Sequence, residues 1–275
     1  MNDATITFIG GGNMATSLLG GLIADNYPVH QLLVSEPDPG QRAKLASLFA
    51  IQPVSSNVDA IATADVVILA TKPQALAEVC RELAAVVQIR RPLVISIAAG
   101  VRVEHLQRWL GGGVALVRTM PNTPAMIQAG ATALYAAEGV TEDQRNQAET
   151  VLRAVGITQW VDQEDLIDAV TAVSGSGPAY FFLVMEAIEA AALRLGLPPG
   201  TARLLTLQTA LGAARMAIES SDSPAVLRQK VTSPGGTTER ALACLEAGDL
   251  RQMFDTALEA ARDRSVELSR LLGDA

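Results

Sequence analysis

Aromatic residues make up only 4% of this 275-residue chain, and cysteine and histidine occur twice each. With so few rings, the 49% hydrophobic content rests mainly on Ala, Leu and Val. That composition suits closely packed helices and parallel strands, with apolar surface left over for burial between subunits. Cys80 and Cys244 lie far apart on expected helices with no metal-ligand spacing. They read as buried free thiols, which excludes a disulfide framework. His30 and His105 stand outside every glycine-rich segment, so neither a Ser-His-Asp set nor a metal site is expected. Basic runs are also lacking: the net charge is −8 and the arginines are scattered, which argues against nucleic acid as a partner. No basic segment precedes an apolar run at the N-terminus. The longest apolar helix, near Ala179 to Leu195, is broken by Glu186, Glu189 and Arg194. No membrane span is therefore expected, and the chain reads as cytoplasmic.

What is present divides at about residue 163. Up to there strands and helices alternate. Strands are expected at Ala4–Ile9, Gln31–Ser35, Gln52–Val54, Val66–Ala70, Leu93–Ile97, Val114–Arg118, Ala131–Ala136 and Ile157–Val161. Between them fall helical patterns such as Asn13–Asp25, Pro39–Phe49, Pro73–Val87 and Thr141–Ala154. Such alternation implies an α/β doubly wound, mostly parallel sheet, a Rossmann domain spanning 1–163. Beyond Glu164 no strand pattern remains. Helices are expected at Gly177–Leu195, Pro199–Ser220, Pro224–Lys230, Gly236–Ala247 and Leu250–Leu272. The second domain, 164–275, is expected to be all-α and to bury its many apolar faces against a second copy.

Gly10-Gly11-Gly12-Asn13-Met14-Ala15 fits G-x-G-x-x-A, directly after a strand and directly before a helix. The first glycine permits the tight turn. The second lets backbone approach a pyrophosphate, and the small Ala15 allows close helix–strand packing. The next strand ends Ser35-Glu36-Pro37. Glu36 could accept hydrogen bonds from an adenosine ribose and repel a 2′-phosphate, whereas Ser35 and Arg42 could serve that phosphate. Ala70-Thr71-Lys72-Pro73 and Ser96-Ile97-Ala98-Ala99-Gly100 end two further strands at the edge where ligands bind. Lys72 is one of three lysines, with Lys44 and Lys230. It is either a counter-charge for cofactor phosphate or a solvated loop residue.

In the helical half one segment does not read as packing: Thr232-Ser233-Pro234-Gly235-Gly236-Thr237-Thr238. Pro-Gly-Gly is a turn, and Thr-Thr-Glu begins a helix. A glycine-rich first turn exposes backbone N–H groups at the positive end of the helix dipole, a receptor for a small carboxylate or phosphate. Ser174-Gly175-Ser176-Gly177-Pro178 is expected to cap the long helix or to wall the site.

These stretches together resemble the pyrroline-5-carboxylate reductase family over essentially the whole chain. The resemblance rests on GGGNMA, on Val67–Gln74, on Arg118–Pro124, on Ser174–Phe182 and above all on VTSPGGTT, Val231–Thr238. It implies a Rossmann domain followed by a helical dimerisation domain, NADPH or NADH as cofactor, and reduction of the C=N bond of 1-pyrroline-5-carboxylate to L-proline. The family's cofactor positions match Gly10, Gly11, Gly12, Asn13, Met14, Ala15, Ser35, Asn57, Ala70, Thr71, Lys72, Pro73, Ala98, Ala99 and Gly100. Asn57 would otherwise pass as a helix cap. Glu36 is a position where members vary. The substrate segment matches Ser233, Gly235, Gly236, Thr237 and Thr238. Lys230 stands where the family has an asparagine and brings a positive charge near the site. The resemblance also implies a homodimer, with larger assemblies of such dimers known in the family.

On this reading the backbone N–H groups of Gly235, Gly236 and Thr237 hold the substrate carboxylate, and the Thr238 hydroxyl meets the ring nitrogen. A protonated cyclic imine is already electrophilic, so the chemistry asks mainly for positioning. That fits a chain with so few acid–base side chains. A β-hydroxyacid dehydrogenase shares the plan but typically needs a lysine on a helix, for which only Lys230 stands in the second domain. A dinucleotide-binding regulatory protein is the other competing class, and the intact glycine turn argues against it.

Overall fold

The computed structural model describes residues 4–273. Seven strands form one sheet: β1 (Ile6–Ile9), β2 (Leu32–Ser35), β3 (Val66–Leu69), β4 (Leu93–Ser96), β5 (Leu116–Met120), β6 (Gly130–Ala136) and β7 (Gly156–Trp160). Their order is β2-β1-β3-β4-β5-β6-β7. The first five are parallel; β6 runs antiparallel to β5, and β7 runs parallel to β6. The helices between them are α1 (Asn13–Ala24), α2 (Pro39–Phe49), α3 (Asn57–Ile61), α4 (Leu76–Arg90), α5 (Val103–Trp109) and α6 (Glu142–Arg153). The strand expected at Gln52–Val54 is only an isolated bridge between Ser35 and Val54.

Consecutive strand side chains point to opposite faces, and both faces of this sheet are covered. Phe8, Ile68 and Ile95 join Leu18, Leu19 and Leu22 of α1 and Val151 and Leu152 of α6 in one core. Ile9, Val67, Leu69 and Val94 join Leu76, Cys80 and Leu83 of α4 and Leu106 and Trp109 of α5 in the other. Double coverage is why β3 reads Val-Val-Ile-Leu with no polar alternation. Local signals fix the helix starts. Asp38 caps α2 by accepting from the Gln41 N–H, and Thr141 with Gln144 forms a capping box on α6.

The remaining helices are α7 (Leu166–Val170), α8 (Gly177–Arg194), α9 (Pro199–Glu219), α10 (Pro224–Lys230), α11 (Thr237–Ala247) and α12 (Leu250–Gly273). A π-helical turn, Thr171–Gly175, links α7 to α8. The Ser174 hydroxyl donates back to the Val170 carbonyl, so Ser174–Pro178 lies inside a helical run instead of capping its start. The described residues form two compact units: one holds the sheet, residues 4–176 and 260–273, and the other holds Gly177–Glu259.

In the sheet unit a buried charge cluster ties distant segments together. Arg118 on β5 is 1% exposed and reaches Glu164 at 2.8 Å and Asp168 at 3.8 Å. Glu164 also accepts from the Val103 N–H at the start of α5, and Asp168 accepts from the Ser265 hydroxyl on α12. In the helical unit α8 and α9 pack together. Many large apolar side chains there face outward, among them Phe181 and Phe182 on α8 and Leu204 and Leu211 on α9. Within the helical run Leu166–Arg194 an 18-residue window reaches a mean hydropathy of 1.2, enough by length and composition alone to cross a membrane.

A further expectation needs correcting, and one alternative falls away. Cys80 is buried on α4, but Cys244 on α11 is exposed. Asn57 does not cap α3. Ser56 does, by accepting from the Asp59 N–H.

Candidate active site

The carboxyl edge of the sheet gathers the expected dinucleotide residues. Gly10 has φ +100°, closed to other residues, and a side chain there would lie 2.8 Å from the Ala70 carbonyl oxygen. The loops after β1 and β3 therefore meet backbone to backbone. At Gly12, the second motif glycine, an added Cβ would meet no described protein atom within 4 Å, so its face is open to a ligand. Ala15 is buried against the first core. Asn13 opens α1 beside the exposed Gly12, and Met14 is half-buried.

The second strand's end is tightly wired. Glu36 accepts from the Gly11 N–H at 2.8 Å and from the Asp38 N–H at 2.9 Å. Arg42 donates to the carbonyl oxygens of Glu36 and Pro37, so its guanidinium braces the turn. Ser35 donates to Asn57 Oδ1 at 2.7 Å, and Asn57 Nδ2 donates to Glu82 at 2.8 Å. Asn57 is thus held facing the end of β2. Glu82, on α4, has no signal in the sequence: it lies 25 residues from its partner in an ordinary helical stretch. Gln41 has no signal for the same reason; its amide donates to the Gly11 carbonyl.

After β3, Thr71 Oγ1 is buried without a hydrogen-bond partner among the described residues, while Lys72 is exposed ahead of a 3-10 turn at Pro73–Ala75. An orphaned hydroxyl beside the glycine loop fits a ligand that supplies its partner. A dinucleotide pyrophosphate fits both that hydroxyl and the open face at Gly12. After β4, Ala98 and Gly100 are buried and Ala99 is exposed. Gly100 lies against Leu268 and Leu272 of α12, so its place in the structure is explained by packing and Ala99 is the member of this loop facing out.

The glycine turn lies wholly in the helical unit. Gly235 has φ +72°, and Gly236 is the N-cap of α11. The Gly235 N–H donates to the Glu239 carboxylate at 2.7 Å, and the Gly236 N–H donates to the Ser233 carbonyl at 3.0 Å. The N–H groups of Thr237 and Thr238, in the first helical turn, have no acceptor within the helix. Thr238 is half-buried and Thr237 exposed. Lys230 pairs with Asp222, which accounts for the extra charge within the same unit.

A Rossmann sheet with an open glycine loop, in one chain with a helical unit that carries a glycine turn at a helix start, has the plan of a dinucleotide-dependent oxidoreductase. Comparison with known proteins narrows the class. Residues 164–268 match the family described as pyrroline-5-carboxylate reductase dimerisation, and residues 5–100 match the family described as NADP oxidoreductase, coenzyme F420-dependent. Pyrroline-5-carboxylate reductase of Pseudomonas aeruginosa is 52% identical over 99% of this chain and 100% of its own length. That of Pasteurella multocida is 44% identical, covering 98% of this chain and 100% of its own. Among solved structures, the Coxiella burnetii pyrroline-5-carboxylate reductase matches with a TM-score of 0.93 at 48% identity, covering 97% of this chain and 98% of that one. The Plasmodium falciparum pyrroline carboxylate reductase with NADP bound matches with a TM-score of 0.86 at 26% identity, over 98% of this chain and 99% of that one. The chain belongs to the pyrroline-5-carboxylate reductase family.

Proposed function

We propose that this chain reduces the C=N bond of 1-pyrroline-5-carboxylate to L-proline with NADPH or NADH, the last step of proline biosynthesis. It does so in the cytoplasm as a homodimer or an assembly of dimers, without nucleic acid or membrane as partner. When bound, the reduced dinucleotide would supply the hydride that adds to the imine carbon, the ring carbon doubly bonded to nitrogen and not the one bearing the carboxylate. The observation that supports the substrate assignment most directly is at the start of α11, where the N–H groups of Thr237 and Thr238 have no acceptor within the helix and can hold a carboxylate. Of the three donors expected for that carboxylate, Gly235 is engaged by Glu239 and Gly236 by Ser233, which leaves Thr237 open. Gly236, bonded to Ser233, shapes the turn.

Thr238 is the residue assigned to catalysis. Its hydroxyl meets the ring nitrogen and fixes the imine's orientation; a threonine is a poor acid, so its contribution is positional. On the dinucleotide side, Gly10 to Ala15 and Thr71 receive the pyrophosphate. Ser35, Glu36 and Asn57 face the adenosine ribose, Lys72 and Pro73 flank the edge, and Ala99, held in place by the buried Ala98 and Gly100, backs the nicotinamide. Lys230 does not supply the β-hydroxyacid dehydrogenase reading with its lysine, because Asp222 engages it.

Spectrophotometric assay with 1-pyrroline-5-carboxylate and each reduced dinucleotide tests the reading; no oxidation of either would overturn it. Thr238→Ala should lower kcat by about a hundredfold while dinucleotide affinity and thermal stability stay unchanged. Full turnover in that variant would remove Thr238 from the mechanism.

A further inference from the structure

Glu36 is held in place more firmly than a solvated turn residue would be. Both of its oxygens are engaged by backbone N–H groups, Gly11 on one side and Asp38 on the other. The Gly11 bond fastens it to the dinucleotide loop itself, so the carboxylate cannot swing out of the adenosine end of the site without breaking two hydrogen bonds. An acid at the end of the second strand is placed to accept from ribose hydroxyls. Each oxygen keeps a further lone pair for that purpose.

Arg42 is anchored at the same turn, its Nη1 donating to the carbonyls of Glu36 and Pro37 at 2.8 and 2.7 Å, so its charge is held at the backbone and no ion pair with the Glu36 carboxylate forms among the described residues. Ser35, which could donate to a phosphate, donates to Asn57 instead. Asn57 in turn leads to a second carboxylate, Glu82. Lys44, on the following helix, lines a cavity of about 550 Å³ with Thr16, Ser17 and Phe49, away from the hydrogen bonds that hold the Glu36 turn.

We infer that this chain selects the dinucleotide lacking a 2′-phosphate, with Glu36 as the specificity-determining residue. Ribose hydroxyls donate to its fixed carboxylate, whereas a 2′-phosphate would meet a like charge that cannot move away. The inference rests on the proposed use of a nicotinamide dinucleotide and goes beyond it by choosing between the two.

The test is a direct binding measurement on the full-length protein, with NADH and NADPH followed by nicotinamide fluorescence, and kcat/KM for each alongside. NADH should bind at least about tenfold more tightly, the order of effect expected from one unrelieved like-charge contact. Equal or tighter binding of NADPH would overturn the inference whatever the turnover. Glu36→Gln keeps the size and removes the charge; it should weaken NADH and strengthen NADPH, closing the gap. An unchanged ratio in a variant with the parent's melting temperature would show that Glu36 does not set the choice. Clear preference for NADH in binding, with no turnover of 1-pyrroline-5-carboxylate, would overturn the proposed reaction and leave this inference standing.

Discussion

Burial decides how the two thiols behave. The Cys80 thiol lies in the core between α4 and the sheet, and burial pushes its pKa up to about 12. A thiolate is the reactive form, so Cys80 should resist a thiol reagent at pH 8 in the folded protein and react on unfolding in denaturant. Rapid labelling of Cys80 in the native state, located by mass spectrometry, would contradict the packing. The sequence placed both cysteines on helices correctly but could not tell which helix face Cys244 occupies, since α11 is amphipathic without a wide apolar stripe. The glycine loop was legible because Gly10 answers a backbone need that only glycine meets. The roles of Glu82 and Gln41 were not, because a side chain that reaches across 25 or 30 residues leaves no local pattern.

At the scale of elements, the end of α12 is the part of the fold the sequence described least well. Its helical spacing was plain, but its partners were not: spacing records an apolar stripe and is silent on what covers it. In the structure its last turns lie on α5 and the loop after β4. Arg108 donates to the Gly273 carbonyl, and a side chain at Gly273 would run into the His105 ring. Burial holds the His105 imidazole below its ordinary range; Arg108 and Arg102 push the same way, and Glu104 and Glu164 oppose. The folded state thus disfavours the charged ring. Below about pH 6.5 the unfolded chain binds the proton more readily, so this site's contribution is complete above that pH and is lost as pH falls toward the lower folded value. Urea midpoints at pH 7.5 and 5.5 should show the loss, and His105→Gln should shrink the difference. An identical pH dependence in that variant would acquit His105.

At the scale of the whole molecule, the outward apolar faces of α8 and α9 demand a covering surface. Phe181 and Phe182 are 67% and 63% exposed in the single chain, far more than a monomer's surface ordinarily shows in one place. The dimerisation family match covers these helices, and Glu186, Glu189 and Arg194 lie along the same run. A second copy, not lipid, is the expected cover. Sedimentation without detergent should give a dimer or a multiple of it, and Phe182→Glu should shift it toward smaller species. A protein that stays dispersed only in detergent would refute this. Composition points to subunit burial because an alanine- and leucine-rich helical half has more apolar faces than its own helices can hide.

The return of the chain to the sheet unit at Ala260 also fixes an order of events on the ribosome. The surface formed by Gly100, His105 and Asp168 is made early, but Ser265, Leu268 and Leu272, which cover it, follow the whole Gly177–Glu259 unit in chain order. The nucleotide-binding half therefore waits, unfinished, while the whole helical half is translated. A chain stopped before Ala260 should thus leave the N-terminal half uncovered and exposed to chaperones and proteases.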